Sequence, residues 1–114
     1  MIYKPFSVVL VPFPFTDSGE QKRRPALVLS THDFQQKNGH VTLAMITTAK
    51  HSSWLGDHLI LDLKKAGLPV ASMVRQKIFT LDIRLIEKEL GLLSTEDQKL
   101  VTEHCFRNFM SSRV

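Results

Sequence analysis

The stretch that decides the fold is Val8-Val9-Leu10-Val11-Pro12-Phe13-Pro14-Phe15-Thr16-Asp17, followed closely by Lys22-Arg23-Arg24-Pro25-Ala26-Leu27-Val28-Leu29-Ser30. Two apolar runs rich in β-branched residues flank a polar loop. The first run stops at Pro12 and Pro14, and the second begins just after Pro25. Runs of this kind read as buried strands joined by a basic loop. A residue that precedes proline is pushed out of the helical region into extended geometry. Arg24 therefore begins a strand rather than riding on a loop tip, and a guanidinium held in that way suits a phosphate. Lys22 and Arg23 extend the same cationic cluster.

Working outward, the 114 residues make one domain, spanning 1–114. With 43% hydrophobic residues falling in periodic runs, the chain can bury a core. A domain of this size stays rich in surface, so dimerisation is expected. The net charge of +4 is unevenly placed: residues 1–81 hold ten Lys/Arg against five Asp/Glu, and the remainder five against six. The positive excess belongs to the strand-rich part, which favours a polyanionic partner there. The single cysteine, Cys105, rules out a disulfide framework within the chain and fits a reducing, cytoplasmic compartment. No signal peptide is evident, and no apolar run is long enough to span a bilayer.

The coarse layout follows from pattern. Val8–Val11 is the first strand, and 12–24 is a long loop with Thr16, Asp17, Ser18 and Gly19 as turn residues. Ala26–Ser30 is the second strand, and a helical turn begins at Thr31 or Asp33. Val41–Ile46 is the third strand, followed by a polar loop carrying Lys50, His51 and Trp54. His58–Leu63 reads as a fourth strand. Ser72–Gln76 and Lys77–Leu81 read as a fifth strand and its continuation. Ile83 to Leu93 reads as a short helical or irregular segment. Ser94 as N-cap with Asp97 in the first turn opens a final helix. Its stripe of Leu100, Val101, Cys105, Phe106, Phe109 and Met110 should pack on the sheet. Short strands with turns between them favour a small barrel over a parallel sheet.

Five histidines are present, His32, His40, His51, His58 and His104, with no HxxxH or CxxC spacing, so no metal is expected. No glycine-rich phosphate loop is present, and no cofactor is expected. The residues that could carry chemistry are Glu20, Arg24, Thr47 and Arg75. Thr47 and Thr48 close the third strand, and Arg75 lies in Ser72-Met73-Val74-Arg75. All could meet at one end of a small barrel. RNA cleavage by its own 2′-hydroxyl needs a base, a donor for the leaving 5′ oxygen, and cations or donors to hold the phosphorane. Two arginines and a threonine hydroxyl meet the last need. Arginine is a poor base near neutral pH, which leaves Glu20 or a histidine for that task. Trp54 is the candidate platform for stacking single-stranded RNA bases. Phe13 and Phe15 read as loop packing or as exposed dimer contacts.

The quoted stretch, with Ile46-Thr47-Thr48, Ser72-Met73-Val74-Arg75 and Phe79-Thr80-Leu81-Asp82, resembles the PemK/MazF-like toxin family over nearly the whole chain and in the right order. The resemblance implies a mainly β, SH3-like small barrel with a C-terminal helix, paired as a homodimer. It implies a toxin of a type II toxin–antitoxin pair. Such a toxin cleaves single-stranded RNA, mRNA included, without metal, leaving a 2′,3′-cyclic phosphate and a 5′-hydroxyl. Arg24 matches the family's arginine before the strand proline, and Thr47 its threonine at the end of the third strand. Arg75 matches an arginine used in one branch, and Glu20 an acidic residue of the first loop. Lys22, Arg23, Thr48 and Trp54 are the remaining RNA-binding candidates. Many members carry Gly-Asp before the first strand, where this chain has Phe6-Ser7. An acidic antitoxin segment is the implied partner. Two other readings use the same fold: a gyrase-poisoning toxin and a catalytically silent RNA-binding barrel.

Overall fold

The computed structural model describes residues 1–13, 22–48 and 52–109. Phe15, the turn residues Thr16 to Gly19, Glu20, Lys50, His51 and Met110 lie outside the described residues. The chain runs through β1 (Ser7–Pro12), β2 (Arg23–Val28), α1 (His32–Asn38), β3 (His40–Thr48), β4 (His58–Leu59), α2 (Leu63–Ala66) and β5 (Ser72–Asp82). A 3₁₀ turn (Ile83–Leu85), β6 (Lys88–Leu92) and α3 (Thr95–Phe109) complete it. The strands form a six-stranded sheet in the order β4-β5-β3-β2-β1-β6, antiparallel at every pairing. It curls into a half-barrel, in keeping with the small-barrel expectation.

The apolar runs are continuous because both faces of the sheet are covered. Val8, Leu27, Ala44, Ile46 and Val74 face Leu68 and Val101, so α3 and the end of α2 close this side. Val9, Val11, Ala26, Val28, Leu43 and Phe79 form the opposite cluster with Phe13 and Ile86. Curvature enters at an irregularity in the β3–β5 ladder. Ala44 pairs with Ile78 and Met45 with Arg75, leaving Gln76 and Lys77 with no opposite residue. An excess of residues on one strand bends it and strengthens its twist.

Several elements differ from the pattern reading. β2 begins at Arg23, because β1 extends to Pro12 and pairs Val11 with Arg24 and Pro12 with Arg23. β4 is only two residues long. The amides of Leu61 and Asp62, which a longer strand would spend on a ladder, donate to the carboxylate of Asp97 at 2.9 and 3.1 Å. Asp62 then caps α2 by accepting from the Lys65 amide at 3.0 Å. The segment from Ile83 to Leu93 is a 3₁₀ turn followed by a true strand, β6, on β1. Gly91 breaks its apolar pattern for a tertiary reason: the backbone of Lys65 and Ala66 in α2 occupies the space a Cβ would need.

Phe6 has φ 71°, in the left-handed region that favours glycine. It is the residue that stands where the resembled family often has glycine. The strain of about 1–2 kcal/mol is opposed by partial burial of its ring against the core and by two backbone hydrogen bonds. Phe6 N donates to Val28 O at 2.7 Å, and Leu93 N donates to Phe6 O at 3.0 Å. The N-terminal segment is tied down further by Gln35 of α1. Its buried side-chain amide accepts from Tyr3 N and donates to Tyr3 O, both at 2.8 Å.

Helix α3 opens as the pattern predicts: Asp97 N donates to Ser94 Oγ at 3.1 Å. Its docking face is narrower than the apolar stripe. Asp97 and Val101 are buried and Cys105 is partly so, while Phe106 and Phe109 are about half exposed.

Candidate functional site

Arg24 and Thr47 come together through sheet register. Ala26 pairs with Met45 across β2 and β3, and continuing that register by two residues sets Arg24 opposite Thr47. Thr47 pairs in turn with Met73 of β5, and Thr48 with Ser72. Arg24, Ile46, Thr47, Thr48, Leu68 and Ser72 line one hollow of about 190 Å³ at this end of the sheet. Larger hollows lie elsewhere, two of them near β6. One of about 500 Å³ runs between residues 1–4 and the start of β6, and one of about 290 Å³ lies beside Arg23 and Arg84. Both arginines of the latter are already paired, Arg23 with Glu87 and Arg84 with Asp82.

Arg24 is half-buried and its approach is fixed from both sides. Pro25 holds its backbone extended within β2. Its guanidinium carbon lies 5.7 Å from the centroid of the Phe13 ring, within the range of a cation–π contact. Phe13 is 4% exposed and meets Phe79 edge to face, with centroids 5.9 Å apart at 86°. This corrects the expectation of an exposed Phe13: the ring is core, part of the apolar cluster with Val11, Leu43 and Phe79, and Phe13 N donates to Lys22 O at 2.9 Å. Among the described residues the Nε of Arg24 is buried without a hydrogen-bond acceptor.

Arg75 lies on the same face of the sheet, two pairs further along, opposite Met45. Its guanidinium is engaged within the chain. Nε and Nη2 donate to the two carboxylate oxygens of Asp57 at 3.2 and 2.9 Å. Nη1 donates to Ser52 Oγ at 3.2 Å and Nη2 to Ser52 O at 3.0 Å. The Arg75 and Asp57 side chains are only 9% and 11% exposed. Burial pushes the Asp57 carboxyl up, but the hydrogen bonds from Arg75 and the Trp54 amide, with the arginine charge, hold it below the ordinary aspartate value. Trp54 lies over this arginine, 5.0 Å from guanidinium carbon to ring centroid, and stays 46% exposed.

The other sequence candidates fall as follows. Arg23 is exposed and pairs with Glu87, so it points toward the segment before β6 and away from Thr47. Lys22 is exposed at the foot of β2. Glu20 and His51 lie outside the described residues. His58 is buried against Asp97 and takes no part in the hollow. Cys105 is half-buried, and burial pushes its thiol up, which makes it a poor nucleophile. Among the described residues no three His, Cys, Asp or Glu side chains come together as a metal-ligand group. No helix among them is long and apolar enough to cross a membrane. Pattern reading missed Ser52 and Asp57. Nothing local marks them, since their partner Arg75 is 23 and 18 residues away.

The chain belongs to the PemK-like, MazF-like toxin family of type II toxin–antitoxin systems, whose profile matches residues 4–106. No curated protein matches it. Among solved structures it is similar to MazF from Deinococcus radiodurans, at 18% identity and TM-score 0.72, with 94% of this chain and 96% of that chain covered. It is also similar to the MazE-MazF structure from the same organism, at 20% identity and TM-score 0.70, with 94% of each chain covered. A mycobacterial endoribonuclease in complex with its cognate antitoxin superposes at TM-score 0.72 with 13% identity, covering 92% of each chain. These likenesses establish the fold.

Proposed function

We propose that this family member is an endoribonuclease toxin that cleaves single-stranded RNA by attack of the RNA's own 2′-hydroxyl. The observation that carries the reading is the convergence of Arg24 with Thr47 and Thr48 in one hollow at the end of the sheet. In-line attack of the 2′-oxygen on the adjacent phosphorus forms the P–O2′ bond and breaks the P–O5′ bond. The 2′ proton passes to a base and the leaving 5′ oxygen takes up a proton from an acid or from water, so the products are a 2′,3′-cyclic phosphate and a 5′-hydroxyl. Negative charge grows on the non-bridging oxygens along the way, and a preorganised cation or donor stabilises it. Arg24 is suited to this: it is permanently charged, half-buried, and braced by Pro25 and Phe13. The Thr47 hydroxyl is a second donor from the neighbouring strand, and Thr48 lies beside it. Glu20 belongs to this reading as a general base in the first loop.

The exposed Lys22 and Arg23 act in steering the polyanion rather than at the reacting phosphate. Arg75 supports the site through Asp57 and Trp54 instead of touching the phosphate. A homodimer and an acidic antitoxin complete the reading. The small domain leaves Leu59 of the edge strand β4 and Leu61 just beyond it exposed, and the positive excess before residue 82 suits an acidic segment that folds on binding.

The test is incubation of the purified protein with a long single-stranded RNA in EDTA, with end-group analysis of the fragments. Cleavage leaving cyclic phosphate ends, lost in Arg24→Ala, supports the proposal. Intact RNA together with inhibition of gyrase supports the gyrase-poisoning reading. Binding of RNA without cleavage supports the silent barrel.

A further inference from the structure

Trp54 stands on a built support. The turn from Trp54 to Asp57 closes on itself: Trp54 N donates to Asp57 Oδ2 at 2.8 Å, and Asp57 N donates to Trp54 O at 3.1 Å. Gly56 within it has φ 92°, and a side chain there would run into Asn108 of α3 and Gln76 of β5. Those two are joined, Asn108 Nδ2 donating to Gln76 Oε1 at 2.7 Å. The turn is thus pinned to the helix and to the bend of β5. Beneath the indole, Asp57 and Ser52 take up the guanidinium fork of Arg75 and hold its plane still. One side of the ring is packed on that cation while nearly half the side chain stays open to solvent. A large aromatic left half-exposed on a buried, neutralised ion pair contributes little to the core. Its geometry is that of a platform for another flat group.

Its position says which group. Arg75 pairs with Met45, two residues from Thr47 on the same face of β3, a separation of about 7 Å along a strand. We propose that Trp54 is the specificity-determining residue of this toxin. It stacks the unpaired base next to the scissile phosphate, and Asp57 is the positioning residue that fixes the platform through Arg75. This rests on the RNA-cleavage reading above. Stacking tolerates any base but favours the larger ring system, so the preference at that position is for a purine. The cation beneath the ring adds rigidity and polarises it.

Trp54 is the only tryptophan in the chain, so its fluorescence reports the contact directly. The probes are two short single strands with 2′-O-methyl groups, which cannot be cleaved, one purine-rich and one pyrimidine-rich. Quenching of Trp54 on binding, with about 10-fold tighter binding of the purine-rich strand, is expected. Sequencing of cut sites in a long RNA should show the purine preference at one position beside the cut. Trp54→Ala should flatten it, Trp54→Phe restore most of it, and Asp57→Asn weaken it in a protein that still melts cooperatively. Cleavage that depends on Arg24, with unquenched Trp54 and an unchanged cut pattern in Trp54→Ala, would overturn the platform while leaving the nuclease standing. The platform also falls if Trp54 is quenched only on self-association or on adding an acidic antitoxin peptide. Failure of both strands to bind and of RNA to be cut would remove the nuclease reading and the platform with it.

Discussion

The guanidinium carbon of Arg24 sits 5.7 Å from the centroid of the Phe13 ring, and that ring meets Phe79 edge to face. The cation that lines the candidate site therefore rests on the core itself. A leucine at position 13 keeps the apolar volume but removes the π face. Phe13→Leu is expected to lower the rate of RNA cleavage about 10-fold, in line with roughly 1–2 kcal/mol for a partly desolvated cation–π contact. Combined with Arg24→Ala it should cost no further activity, because the ring acts through the arginine. Single-turnover kinetics on the four proteins of the cycle measure this.

Arg24→Ala removes the fixed cation outright. Loss of one such stabiliser typically costs about 10²–10³ in rate, and the effect should fall on kcat rather than on RNA affinity. Thr47→Val deletes the hydroxyl at nearly constant volume and is expected to slow cleavage while leaving the melting temperature within a few degrees. An Arg24→Ala protein that cuts as fast as the parent would show the site to be elsewhere.

Asp97 is expected to be the most sensitive polar residue for stability. It is fully buried and accepts from four donors: His58 Nε2 at 2.7 Å, Leu61 N at 2.9 Å, Asp62 N at 3.1 Å and Ser94 Oγ at 3.0 Å. An asparagine would turn an amide toward donors it cannot accept from. Asp97→Asn should cost roughly 1–3 kcal/mol, the usual cost of leaving a buried donor without its acceptor, read by urea denaturation.

The same carboxyl sets a pH dependence. Burial pushes Asp97 up, but the Leu61 amide, His58, the Asp62 amide and Ser94 outweigh it and hold it below the ordinary aspartate value. Asp57 is lowered in the same sense. A carboxyl depressed in the folded state binds fewer protons there than in the unfolded chain. Its contribution is complete above the unfolded value near pH 4. It is lost as the pH falls through the folded value. Urea midpoints should therefore hold steady from neutral pH down to about 5 and then drop, with a shallower drop in Asp97→Asn.

Gly91→Ala probes the contact between β6 and α2. The new methyl would meet the backbone of Lys65 and Ala66, which cannot move aside as a flexible side chain can. A loss of about 1–3 kcal/mol is expected, as for other overpacked sites, seen as a lower denaturation midpoint.

Much of this protein was legible where neighbours in sequence decide the outcome. The β-branched run Val8–Val11 had to be a strand, and the proline after Arg24 had to hold that arginine extended. Ser94 and Asp97 had to start a helix, because an N-cap acts within one turn. Thr47 at the end of an apolar strand was readable for the same reason. What only the tertiary structure decided depends on partners far along the chain. Lys88–Leu92 is a strand because β1 is there to pair with it, although Gly91 spoils its pattern. The strand expected over His58–Leu63 stops after Leu59, because Asp97, 36 residues beyond Leu61, takes the Leu61 amide. Phe13 is core because Phe79 meets it. Arg75, read in the sequence as a cation for the phosphate, becomes the floor under Trp54 because Asp57 faces it in space. Local sterics and capping are written in short stretches of residues, whereas charge neutralisation and aromatic packing depend on which distant residues the curled sheet brings together.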